Sequence, residues 1–115
     1  HLAAAGIKDP NSLVNFLRAV RKQAKGKLIE LEIDHMEQLE YAILGGVDAV
    51  LLDNFTPQEV AQAVEINQNR VVLEASGCIN RENLHEYAKA KPHFISTGAP
   101  VHSAKWVDIG LDWIN

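Results

Sequence analysis

Four short apolar runs at an almost constant interval constrain this chain more than any other feature. Leu28–Ile33, Ala49–Asp53, Val71–Ser76 and His93–Gly98 begin 21, 22 and 22 residues apart. Each is about the length of a buried strand and is rich in leucine or β-branched residues. The intervals carry helix-period segments. Leu13, Phe16, Leu17, Val20 and Ala24 recur at three and four residues, as do Met36, Leu39 and Ile43, and Leu84, Tyr87 and Ala88 fall on a further helix. Thr56-Pro57-Gln58-Glu59 reads as an N-cap, a first-turn proline and a capping-box glutamate. Asp34 with Glu37 repeats that pattern less fully, Asn80 is expected to cap the helix of Leu84, and Gly45-Gly46 to stop the one before it.

Strand and helix alternating across short linkers specify βα units and a parallel sheet. Four such units follow a leading helix near residues 11–25, and Val107, Ile109, Leu111 and Trp113 alternate at strand period in the tail. Two architectures share this α/β pattern: a small doubly wound sheet, or about half of a parallel βα (TIM-like) barrel, which in full needs ~250 residues. The only methionine is Met36 and the first residue is His1, which leads us to expect a piece of a longer polypeptide and favours the half-barrel. Such a half has two open sheet edges and is expected to associate with something, a copy of itself included.

Composition sets outer bounds. At 115 residues there is room for one domain, and 47% hydrophobic with 23% charged residues is ordinary for a globular chain. A formal charge of −4 argues against a nucleic-acid footprint, and one cysteine excludes an internal disulfide framework and suits a reducing, cytoplasmic compartment. No apolar run approaches the ~20 residues of a membrane span.

In either architecture chemistry gathers where the parallel strands end. Those positions hold Glu32, Asp53, Ser76-Gly77 and Thr97-Gly98. Two carboxylates there suit sugar hydroxyls or a hard divalent ion such as Mg²⁺. Two glycine turns ahead of helices offer backbone N–H groups to phosphate. A phosphorylated sugar satisfies both halves. The plainer readings stand beside this one. Glu30 and Glu32 alternate with Ile29, Leu31 and Ile33 as a solvated strand face would, Asp53 serves equally as a turn acid, and glycines punctuate turns. Cys78 is expected to be a small packed residue, and His35, His85 and His93 surface or packing histidines; His102 follows a glycine turn at the same rim. Trp106 and Trp113 belong to a core or a subunit contact, and Arg18, Arg21, Lys22 and Lys25 to the solvated face of the first helix. Val50-Leu51-Leu52-Asp53 with Pro57 also looks like the phosphoacceptor strand of a response-regulator receiver, the alternative signalling reading, phosphorylated on Asp53.

Taken in order, Ile29–Ile33, Gly45-Gly46-Val47-Asp48-Ala49-Val50-Leu51-Leu52-Asp53-Asn54-Phe55, Leu73-Glu74-Ala75-Ser76-Gly77, Gly98-Ala99-Pro100-Val101-His102-Ser103 and Asp108-Ile109-Gly110-Leu111 resemble the quinolinate phosphoribosyltransferases over essentially all 115 residues. His1–Gly6 resembles the segment after that family's Lys-Asp-Asn-His motif. The resemblance implies residues 1–115 as the C-terminal portion of an α/β-barrel domain, without the N-terminal domain and first strands. It implies transfer of the phosphoribosyl group of phosphoribosyl pyrophosphate to quinolinate, with decarboxylation, to give nicotinate mononucleotide for NAD synthesis. Mg²⁺ as cofactor, a homo-oligomer, and no nucleic-acid or membrane partner go with it. By position, Glu32 and Asp53 would contact ribose hydroxyls or metal, and Ser76, Gly77, Cys78, Thr97, Gly98 and Ala99 would bind the 5′-phosphate. Cys78 stands where a second glycine is usual, and a Cβ there costs free energy if the backbone needs a positive φ. Pro100 and Val101 replace a leucine and a threonine, and Lys91-Pro92-His93 replaces glycine-valine-aspartate. The basic residues that would hold quinolinate lie upstream in the family, so these 115 residues alone are expected to be inactive.

Overall fold

Local capping chemistry starts the chain's elements where the pattern allows. In the computed structural model, which describes residues 9–102 and 104, the Asp9 carboxylate accepts from the Ser12 N–H at 3.1 Å and Pro10 takes the first helical position. Helix α1 runs Pro10–Gln23 and buries Leu13 and Leu17, whereas Phe16, expected on the same stripe, is 41% exposed at its margin. The remaining elements are β1 Glu30–Ile33, α2 Gln38–Gly45, β2 Ala49–Asp53, α3 Pro57–Asn67, β3 Val72–Ser76, α4 Leu84–Ala90, β4 Phe94–Ile95 and α5 Ala99–His102. The C-terminal strand expected from Val107 to Trp113, both tryptophans and residues 1–8 lie outside the described residues.

The four strands are all parallel and lie in the order β1-β2-β3-β4. A doubly wound sheet reverses strand order at a switch point; this one does not. The architecture is therefore that of consecutive barrel walls, and the receiver reading, which needs a doubly wound sheet, is overturned.

Register assigns the two faces. Paired residues of a parallel ladder share a face, and alternate residues switch. Leu31, Ile33, Val50, Leu52, Leu73, Ala75 and Ile95 face the helices, and five of these seven are buried. With Leu13, Leu17, Leu39, Ala42, Val60, Ala63 and Tyr87 from the helices they make the core. The opposite face, the inner wall of a barrel, carries Glu30, Glu32, Leu51, Asp53, Val72, Glu74 and Phe94, none of them buried.

Several local expectations change in detail. Thr56 and Glu59 form the full capping box. Glu37 is the N-cap of α2 but makes no side-chain cap; instead Gln38 Oε1 accepts from the N–H groups of Asp34 and His35, both at 3.1 Å. Gly46 ends α2 at φ +82°. Asn80 Oδ1 accepts from Glu82 and Asn83, so it caps a preceding turn, not the first turn of α4. In α4 Tyr87 is buried, while Leu84 and Ala88 are exposed. Strand β4 is shorter than its apolar run, because His93 enters the ladder sideways: its N–H donates to Leu73 O and its Nδ1 accepts from Leu73 N–H, each at 3.0 Å.

Arg21 is half-buried and engaged, unlike the freely solvated residue expected with the other basic residues of α1. It donates to Gly46 O at 2.7 Å and to Asp48 Oδ2 at 2.5 Å, and Asp48 also accepts from the Ile29 N–H at 2.7 Å. One arginine thus ties α1 to the turn entering β2. No helix among the described residues is long and apolar enough to cross a membrane.

Candidate functional site

The carboxyl ends of β2 and β3 are built as one unit. Asp53 closes β2 on the inner face, half-buried, and the next residue, Asn54, adopts φ +58°. Asparagine tolerates this left-handed region better than most residues. The Asn54 N–H donates to Ser76 O at 2.9 Å, extending the β2–β3 pairing one step past the strands. Its side-chain Nδ2 donates to Asp53 Oδ2 at 2.8 Å. Gly77 then turns at φ +88°, and a Cβ there would stand 2.3 Å from Asn54 Oδ1 and 2.7 Å from Asn54 N. Close approach as well as φ demands glycine.

Cys78 follows at φ +53° and is exposed. The expectation of a packed thiol fails here, and the backbone does need the positive φ that the usual glycine would adopt without strain. The turn ending β4 meets this one. The Thr97 hydroxyl donates to Ile79 O and accepts from the Ala99 N–H at 3.1 Å, tying the two loops together. The His102 ring lies over Gly98, where a Cβ would stand 2.8 Å from its Cδ2. Ser76, Gly77, Cys78, Thr97, Gly98 and Ala99 line one open depression, joined by His102. Among the described residues the N–H groups of Gly77, Cys78 and Gly98 meet no protein acceptor. The donors belong to the loops: α4 begins only at Leu84, and α5 is a single turn, so neither glycine opens directly onto a long helix.

Glu32 and Asp53 share the inner face, Glu32 exposed; Glu32 lies beside Leu51, and Asp53, the next residue of β2 on that face, lies beside Ser76. No cluster of three or more metal-ligating side chains occurs among the described residues. Two carboxylates on one wall suit Mg²⁺ that keeps waters and phosphate oxygens as its other ligands. A second depression beside Asp53 is lined by Asp34, His35, Met36, Glu37, Asn54, Phe55 and Glu59. The Thr56 N–H and hydroxyl hold the Glu59 carboxyl below its ordinary range, a capping effect.

Sequence reasoning passed over Asn54 and Glu74. Asn54 was detectable as the αL-tolerant residue immediately after a strand-end acid. Glu74 shares a face with Ser76 by period two, and the Ser96 hydroxyl donates to it. Burial, and then the nearby Glu74 carboxylate, raise the Glu30 carboxyl above its ordinary range.

Consecutive parallel walls, with paired acids and two donor-bearing glycine turns at their carboxyl ends, define an α/β-barrel segment of the kind that carries its site on the strand-end rim. Residues 1–112 match the family model for the C-terminal domain of quinolinate phosphoribosyl transferase, and the chain belongs to that family. It is 38% identical over 115 residues to the nicotinate-nucleotide pyrophosphorylase [carboxylating] of Mycobacterium leprae, covering 97% of this chain and 39% of that protein. A probable enzyme of the same name from Methanocaldococcus jannaschii is 34% identical over 119 residues, 97% of this chain and 40% of its own length. The crystal structure of the Ehrlichia chaffeensis nicotinate-nucleotide pyrophosphorylase superposes with a TM-score of 0.82 at 36% identity, covering 97% of this chain and 39% of that one. The chain thus spans about two-fifths of the length of these relatives.

Proposed function

We propose that residues 1–115 are the C-terminal portion of the barrel domain of an enzyme that transfers a phosphoribosyl group from phosphoribosyl pyrophosphate to quinolinate, with decarboxylation, giving nicotinate mononucleotide for NAD synthesis. The observation that carries this is the rim: N–H groups on Gly77, Cys78 and Gly98 that meet no acceptor among the described residues, in one depression beside the carboxylate wall of Glu32 and Asp53. Backbone N–H groups converging on a concavity bind anions well, which suits the 5′-phosphate. Ser76 contributes its hydroxyl, Ala99 the wall, and Thr97 the tie between the loops. His102 completes the lining of the same depression.

Glu32 and Asp53 would accept from ribose hydroxyls. Loss of pyrophosphate leaves developing positive charge on the sugar, and fixed carboxylates nearby stabilise it without reorganising. The same pair would hold Mg²⁺, which, when bound, offsets the charge of the departing pyrophosphate. Quinolinate is a dicarboxylate and needs cations. The inner face described here presents Glu30, Glu32, Asp53 and Glu74 instead, so the acid-binding side comes from the rest of the parent enzyme and this portion alone is inactive. A homo-oligomer working in the cytoplasm completes the reading.

Titration of the isotopically labelled chain with ribose 5-phosphate tests it. Amide resonances of Gly77, Cys78 and Gly98 should move first and saturate together. Movement confined to the outer helices would sink the proposal. Release of carbon dioxide from quinolinate by the chain alone would overturn the assignment of acid binding elsewhere.

A further inference from the structure

We infer that Asn54 is a positioning residue that locks the ribose-binding carboxylate of Asp53 to the phosphate turn at Ser76–Gly77, so that the two subsites hold a fixed separation. The inference rests on the functional reading above and extends it to a residue with no role there.

Three contacts converge on this side chain and its backbone. The carboxamide Nδ2 donates to Asp53 Oδ2 at 2.8 Å, which fixes the carboxylate's rotation and leaves its other oxygen free to meet a ligand. The main-chain N–H donates to Ser76 O at 2.9 Å, which fixes the residue immediately before the phosphate turn. The carboxamide oxygen lies over Gly77 Cα, where a Cβ would come within 2.3 Å. Adopting φ +58° is what lets one residue do all three, because it turns the backbone N–H across to β3 while the side chain folds back on Asp53. A phosphorylated ribose presents its hydroxyls and its phosphate at a distance set by its own covalent frame. A site that holds both partners rigidly binds it without ordering them afresh.

The test is differential binding by the 115-residue chain, with ribose 5-phosphate and inorganic phosphate as probes. Asn54→Ala removes the carboxamide at some backbone strain, and Asn54→Gly removes it with none. Both should weaken ribose 5-phosphate about five- to tenfold, the scale of one ordinary hydrogen bond lost from the site. Inorganic phosphate should change by less than about twofold, since it never engages Asp53. In an Asp53→Ala background, where Asn54 Nδ2 has lost its acceptor, Asn54→Gly should have no further effect on ribose 5-phosphate. Equal weakening of both probes, or additivity of the two substitutions, overturns the inference by reducing Asn54 to a shaper of the loop. A second measurement needs no ligand. Exchange of the Asn54 side-chain amide protons should be slowed in the parent chain and should accelerate in Asp53→Ala. Unprotected protons in the parent chain also overturn the inference. A chain that binds neither probe defeats the phosphoribosyl reading, while the exchange result still decides whether Asn54 holds Asp53.

Discussion

Two glycines with almost the same backbone angle allow conformation and crowding to be separated. Gly46, at φ +82°, ends α2 with nothing within 4 Å of where a Cβ would stand; Gly77, at φ +88°, would place that Cβ 2.7 Å from the backbone N of Asn54 and 2.3 Å from its Oδ1. Forcing an L side chain into the left-handed region costs roughly 1–2 kcal/mol. That is the whole expected effect of Gly46→Ala. Gly77→Ala carries the same cost plus an overpacking penalty of about 1–3 kcal/mol. The backbone atom in the way belongs to a residue pinned between Asp53 and Ser76, so it cannot yield as the tip of a long side chain would. The sum for Gly77→Ala is roughly 2–5 kcal/mol. Urea denaturation of both variants beside the parent chain measures the difference directly, and ribose 5-phosphate titration of whatever remains folded reads its consequence. Gly46→Ala should keep the amide shifts at Gly98 and Cys78, and Gly77→Ala should lose them. If the two substitutions destabilise equally, the close approach of β2 and β3 at the rim is not what Gly77 is for, and the reasoning fails.

Other outcomes follow from single contacts. Asp48 has its carboxyl held below the ordinary range by the Arg21 guanidinium and then by the Ile29 N–H. A depressed folded-state pKa contributes stability above the unfolded aspartate range, lost as pH falls through the folded value. Arg21→Met should therefore lower the urea midpoint at neutral pH and flatten its decline below about pH 4. His93→Ala leaves the Leu73 N–H without its acceptor and should cost about 1–2 kcal/mol, with His93→Asn recovering part of it, both read by denaturation. Thr56→Ala removes the capping box of α3 for about 1 kcal/mol while Thr56→Ser is nearly neutral, measured in the same way.

The strand and helix order was legible because each run meets the same physical demand: residues such as Val50 and Leu52 are excluded from water entirely, and their two-residue period survives any tertiary context. Thr56-Pro57-Gln58-Glu59 was legible because its bonds are local. What escaped was whatever depends on a partner far along the chain. Arg21 reads as one more charge on a basic helix until Asp48, 27 residues away, comes beside it. His93 reads as an exposed ring until its Nδ1 meets a strand 20 residues earlier. Cys78 reads as packing by residue type, and only its place where a second glycine is usual hints at the positive φ it adopts. At the site, the acids and glycine turns could be seen in the strand-end positions themselves, but the bridging role of Asn54 required the register that sets Asp53 against Ser76.

The placement of the core has a consequence for how this sheet is assembled. Among the described residues every strand pairs with the strand next to it in sequence, and the buried apolar residues lie between sheet and helices. Each βα unit therefore seals its helix-facing side against its immediate neighbour, much as links do in a solenoid, while Leu51, Val72 and Phe94 on the inner face stay partly in water. Each pairing step closes a crossover that contains one helix, with partners such as Glu30 and Ala49 brought together along the ladder. Cohesion can propagate unit by unit from the β2–β3 centre outward. The rim, set at the seams between neighbouring links, is assembled by the same pairwise steps that build the fold.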